Sequence, residues 1–133
     1  MLNVNDPPQC QLAQATPASL WPPNHKLLAV GIVGVSDPNN DQVTSSVTGV
    51  AQDEPTNGLG DGDTAPDAVL NPNGSVLVRA ERSDTGNGRV YTVSFAATDG
   101  AGGECAGAVT VCVPHSARGV CGDGGPLYDS TQP

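Results

Sequence analysis

Aromatic side chains are scarce: Trp21, Tyr91, Phe95 and Tyr128 are the whole set in 133 residues. A core built on stacked rings is thereby excluded, and Val, Leu, Ile and Ala must fill it. Val leads among them, and β-branched side chains favour strands. Bases are scarce as well, five against fourteen acids, giving a formal net charge of −9. Phosphate binding needs a Lys/Arg surface, so this balance argues against nucleic acid as a partner, and equally against an anionic membrane surface. No run of 18 apolar residues is present to span a bilayer, and no signal peptide opens the chain, which reads as a processed protein or a piece of a larger secreted one. Neither Gly-x-Ser-x-Gly nor His-Glu-x-x-His occurs. The carboxylate pairs lack neighbouring aromatics to shape a sugar site for acid–base chemistry. The chain is expected not to be an enzyme.

What is abundant is turn punctuation. Seventeen Gly and twelve Pro fall in clusters between apolar stretches. Residues 1–9 read as a linker or loose N-terminus. Residues 10–15 suit a short edge strand, and the three prolines in 16–26 exclude a central one. The run LLAVGIVGV, 27–35, fits a strand buried on both faces. Residues 42–50 alternate until Val50 breaks the parity of Val43 and Val47, which a β-bulge or an early strand end would explain. Residues 53–74 form the longest stretch without strand character. SVLVRAE (75–81), RVYTVSFAAT (89–98) and residues 106–114 alternate clearly, with Tyr91, Val93, Phe95 and Ala97 on one face and Val109, Val111 and Val113 on one face. The tail, 115–133, is again rich in turns. No helix is convincing. The expectation is an all-β, immunoglobulin-like Greek-key β-sandwich of about seven strands over 10–114, with 115–133 as a disulfide-tethered tail.

Four cysteines, Cys10, Cys105, Cys112 and Cys121, in a small acidic chain suggest two disulfides and an oxidising, extracellular setting. The competing zinc site lacks Cys-x-x-Cys spacing, and His25 and His115 beside proline turns read as hydrogen-bonded loop residues. Three pairings are possible. In an immunoglobulin-like sandwich the first strand can run parallel to the last, so Cys10 and Cys105 open neighbouring strands at one end. Cys112 then lies about 23 Å away at the other end, at ~3.3 Å per residue, within reach of Cys121. The expected bridges are Cys10–Cys105 and Cys112–Cys121.

The charge is unevenly spread. No base occurs between Lys26 and Arg79, while that stretch carries Asp37, Asp41, Asp53, Glu54, Asp61, Asp63 and Asp67. Such a concentration repels itself unless a cation neutralises it. Calcium takes six to eight oxygens from carboxylates and carbonyls at flexible spacing. The segment DEPTNGLGDGDTAPDA, 53–68, offers Asp53, Glu54, Asn57, Asp61, Asp63 and Asp67, with Gly58, Gly60 and Gly62 to turn the backbone inward. Glu81 could turn toward the same loop. The plain alternative is a solvated acidic loop. An EF-hand is excluded by the missing Asp-x-Asp-x-Asp-Gly spacing. RAERSDTGNGR, 79–89, holds three of the five bases. Arg79, Arg82 and Arg89 are expected to pair with Glu81, Asp84 or the acidic loop rather than with a ligand.

Taken together, LWPPNHKL (20–27), residues 53–68, RAERSDTGNGRVYTV (79–93), ATDGAGGECAGAVTVCVPH (97–115) and CGDGGPLYDST (121–131) resemble a bacterial secreted module of the Ig-like, cadherin-like and PKD-like repeat type. The resemblance spans about residues 8–131. It implies a sandwich, export and calcium, and no definite ligand. Asn39 and Asn40 stand in the turn SDPNND where such repeats often carry Asp-x-Asp-Gly-Asp, so no calcium site is expected at Asp37 and Asp41. Three functions follow as expectations. The first is an extracellular calcium-binding structural or adhesion module, partnered by other domains of the same protein, a cell-surface protein or a glycan. The second is a carbohydrate-binding module, which would need a strip of exposed aromatics from Trp21, Tyr91 and Tyr128, with Tyr91 expected in the core. The third is a subunit of an extracellular assembly of sandwich domains, with tails pairing between neighbours.

Overall fold

The computed structural model describes residues 7–21, 26–38, 42–53, 67–71, 74–80, 88–100, 102–114, 121, 125 and 128–131. Eight strands are present: β1 (Gln14–Thr16), β2 (Leu27–Val33), β3 (Thr44–Gln52), β4 (Ala68–Leu70), β5 (Val76–Arg79), β6 (Arg89–Thr98), β7 (Glu104–Val113) and β8 (Tyr128–Asp129). They form two antiparallel four-stranded sheets, β1-β2-β5-β4 and β7-β6-β3-β8. Without β8 these are the two sheets of a constant-type immunoglobulin sandwich, in its strand order. The eighth strand adds to the edge of β3.

Period-two alternation drives the arrangement, because each strand must bury one face against the other sheet. Tyr91, Val93, Phe95 and Ala97 of β6 face inward beside Val109, Val111 and Val113 of β7, and meet Val76 and Val78 of β5 and Val30 of β2. Of the two explanations for the broken parity in β3, a bulge and an early strand end, the bulge is present: the register with β6 shifts between Val47 and Gly49, which returns Val50 to the core. Val47 and Val50 therefore both contribute inward despite their opposite parity in sequence.

Three sequence expectations need correction. The first strand lies at 14–16, later than residues 10–15 suggest, because the chain turns at 11–12 before it can pair with β2. Strand β2 is not buried on both faces. Val30 is buried, but Val33 is 47% exposed and Ala29 and Gly31 are also exposed, since this sheet has no layer outside it. Finally, the long stretch 53–74 ends in β4, and the tail contributes β8. Both are too short to show a period in sequence.

After Thr16–Pro17, a cis peptide, the chain leaves β2 and crosses to the other sheet. Ser19 makes a parallel bridge with Cys112: the Leu20 amide donates to the Cys112 carbonyl (2.8 Å) and the Cys112 amide to the Ala18 carbonyl (2.9 Å). The segment that follows β1 therefore runs parallel to β7, the arrangement on which the expected disulfide pairing rests. Both predicted bridges form, Cys10–Cys105 and Cys112–Cys121, with Cα separations of 6.0 and 5.8 Å.

The two bridges close loops of 95 and 9 residues. In the chain-entropy model these are worth about 4.7 and about 2.6 kcal/mol. Replacing Cys10 and Cys105 by Ala should therefore destabilise the chain by about 2 kcal/mol more than replacing Cys112 and Cys121. Denaturant unfolding of the two double variants checks this, and equal losses would contradict it.

Candidate functional site

The sandwich has one pole on which most of the distinctive sequence opens. Strands β3, β5 and β7 end there and β2, β4, β6 and β8 begin there, as the pairs Gln52↔Tyr91, Leu27↔Arg79, Ala68↔Val78, Arg89↔Val113 and Gln52↔Tyr128 show. The acidic segment, the Arg-rich segment and the tail thus all leave and re-enter the fold at this end. Of the expected calcium ligands, Asp53 and Asp67 are described. Glu54, Asn57, Asp61, Asp63 and Glu81 lie outside the described residues.

Asp67 stands immediately before β4 and is fully buried. Its Oδ2 accepts from Arg89 Nη1 at 2.9 Å and from Gln52 Nε2 at 2.9 Å, and Arg79 Nε lies 3.6 Å from its Oδ1. Arg89 opens β6 and is also fully buried. The same Nη1 donates to the Tyr91 hydroxyl at 3.0 Å, and the guanidinium carbon lies 5.7 Å from the Tyr91 ring centroid. The Tyr91 hydroxyl in turn donates to the Arg79 carbonyl at 2.8 Å. That last bond resembles the tyrosine corner of immunoglobulin domains, in which a Tyr near the start of this strand bonds back to backbone upstream. Charges removed from water are tolerated only with close geometry and further hydrogen bonds, and this network supplies both. Gln52 and Arg89 come from one sheet, Asp67 and Arg79 from the other.

A single carboxylate between two guanidiniums is a poor place for a divalent cation, which like-charge repulsion disfavours. Asp67, expected among the calcium ligands, is held in this ion pair. The expectation that Arg79 and Arg89 engage the acidic segment is what the geometry shows.

Asp53, at the other end of that segment, is half-buried. Its Oδ1 accepts from the Val90 amide at 2.9 Å, and its own amide donates to the Val90 carbonyl at 3.2 Å. Both ends of the acidic loop are thus fixed to the start of β6. The tail closes over the same region. The amides of Asp67 and Ala68 both donate to the Ser130 carbonyl at 2.9 Å, and the Ser130 amide donates to the Val50 carbonyl at 2.9 Å. Cys121 Sγ lies 3.4 Å from the Arg89 carbonyl oxygen. Gly88 has φ +88°, and a Cβ there would come within 2.8 Å of that sulfur, so the tail bridge requires glycine at this turn.

Among the described residues no group of three His, Cys, Asp or Glu side chains is placed to hold a metal ion. Nor is any helix there long and apolar enough to cross a membrane. Tyr91 is buried, as expected, whereas Trp21 and Tyr128 are 42% and 41% exposed. Trp21 follows the segment beside β7 and Tyr128 lies in β8, at opposite edges of one sheet. They form no strip. The chain matches no protein-family model, no curated protein and no solved structure.

Sequence reasoning missed Gln52 and Ser130. Gln52 was legible in principle: once the bulge restores Val50 to the core, Gln52 shares its inward parity. Ser130 carried no signal, since its role is a main-chain one.

Breaking a buried pair strands the surviving charge, which costs about 3–5 kcal/mol. Asp67→Leu and Arg89→Met should each lose stability on that scale, whereas the double variant should lose clearly less than their sum, because neither of the two fully buried charges is then left without the other, and Arg79 keeps partial access to solvent. A double-mutant cycle by denaturant unfolding reads this directly. Simple additivity would show that the two residues do not act as a pair.

Proposed function

We propose that this chain is a non-catalytic, extracellular structural or adhesion module whose acidic loop binds calcium. The observation that carries the reading is the fixing of both loop ends, by Asp53 on the Val90 amide and by Asp67 on Arg89. Ends held on a rigid sandwich lower the ordering cost of closing a loop around an ion. Between those anchors the sequence supplies the carboxylates of Glu54, Asp61 and Asp63 and the side-chain carbonyl of Asn57, the hard oxygen donors that calcium prefers. Asp53 sits at the loop's threshold, and Glu81 belongs to the β5–β6 connection, which opens on the same pole. In this reading Asp67 is the loop's anchor and not a ligand.

Two disulfides fit an extracellular protein, and export follows as part of the proposal. The partners are other domains of the same protein, a cell-surface protein or a glycan. A carbohydrate-binding module is the weaker reading, because its two exposed aromatics stand at opposite edges of the sheet.

Calcium should stabilise the fold. A ligand bound only by the native state contributes about 2.7 kcal/mol at a hundredfold excess over Kd, enough to raise the melting temperature by several degrees. Identical melting curves in calcium and in EDTA would sink the proposal. Within the loop, Asp63→Asn should weaken calcium binding more than Asp84→Asn, which falls in the Arg-rich segment 79–89 rather than in the acidic one. Equal losses by calorimetric titration would move the site elsewhere.

A further inference from the structure

The seat of the tail strand has the properties of an exchangeable position. Strand β8 meets β3 through two register pairs, Ala51↔Asp129 and Gln52↔Tyr128. Tyr128 and Asp129 are exposed, and only Ser130 is buried. The segment is therefore held by main-chain bonds: the Ser130 amide to Val50, and the Asp67 and Ala68 amides to the Ser130 carbonyl. No buried apolar side chain anchors it among the described residues. The seat, by contrast, is demanding. Without an occupant, the Asp67 and Ala68 amides and the Val50 carbonyl would lose partners beside a buried ion pair, and unpaired main-chain groups at a sheet edge recruit another strand.

We infer that this seat is a strand acceptor that takes the tail of a second copy of the chain. A second copy presents the same Ser130 amide and carbonyl and so satisfies the same three bonds, which is the general logic of strand addition and exchange. Geometry allows it. Cys121 is the last covalent anchor, and six residues, 122–127, including Gly122, Gly124 and Gly125, separate it from Tyr128. Seven steps of extended chain reach about 24 Å, enough to pass between copies that abut at this pole. With a net charge of −9 the copies repel one another, so exchange should be favoured by salt, which screens that repulsion. This inference is independent of calcium binding.

The test uses full-length chains. Ala51 and Asp129 face each other at a non-hydrogen-bonded position, since the adjoining Ser130 bonds to Val50. Such pairs have Cα atoms about 4.5 Å apart, within disulfide range. The double variant Ala51→Cys/Asp129→Cys should close this bridge within one chain at low concentration. If it does not, the tail is not seated and the inference falls. The two single variants are then mixed, incubated in a redox buffer and mapped by peptide analysis. The expected product is a dimer linked 51–129. Its early fraction should rise about tenfold for a tenfold rise in protein, as expected for association by mass action, and should rise further with salt. Absence of that link, while the double variant closes its own bridge, would overturn the inference. So would 51–51 and 129–129 dimers forming at the same rate, which would report random collision.

Discussion

The ion pair between Asp67 and Arg89 ties one sheet to the other at the pole where the acidic segment, the Arg-rich segment and the tail open. Arg89 opens a strand of one sheet and Asp67 precedes a strand of the other, and both are fully buried. Gln52 and Tyr91 add hydrogen bonds to the pair, and Arg79 Nε lies 3.6 Å from the other Asp67 oxygen as a second cation. The backbone beside each partner then carries a further load. The Asp67 amide holds the tail at Ser130, the Arg89 carbonyl lies against the tail disulfide, and Val90 grips the start of the acidic loop through Asp53. The pair thus stands at the centre of the bonds that fix this pole, outside the apolar cluster that fills the sandwich.

The two disulfides divide the work by position. Cys10–Cys105 closes 95 residues at the pole away from the ion pair and ties the segment before β1 to the start of β7. Cys112–Cys121 closes a loop of 9 at the ion-pair pole and delivers the tail to its seat. A chain with four aromatic residues and a largely Val/Ala core has modest apolar area to bury, so covalent bridges that limit the unfolded ensemble supply what packing cannot.

How much of this was legible in sequence depends on the length over which a pattern repeats. The ten-residue β6 and β7 showed their inward faces plainly, and Val50 betrayed the bulge by breaking parity. The disulfide pairing followed from the sandwich topology once the first and last strands were taken as parallel. Strands β4 and β8, three and two residues long, carried no period to read. The run 27–35 misled because apolar composition alone does not say whether a second layer covers the outer face. At the candidate site the residue types were right, acids facing arginines, but sequence could not say which acid belonged to which partner. Asp67 is chemically identical to its neighbouring aspartates in the acidic segment, and only the fold shows it at the threshold of β4, between two guanidiniums.

The most direct test of the pole as one cooperative unit is native-state hydrogen exchange of single amides in the intact chain and in Arg89→Met, which keeps bulk and removes the charge. The relevant reporters are the amides of Asp67, Ala68, Val90 and Ser130, each bonded across this pole. If the buried pair organises the pole, all four should lose protection together by a common factor, while amides in the centres of β6 and β7 keep more of theirs. Loss confined to Val90, next in sequence to the substitution, with Asp67, Ala68 and Ser130 unchanged, would contradict the account.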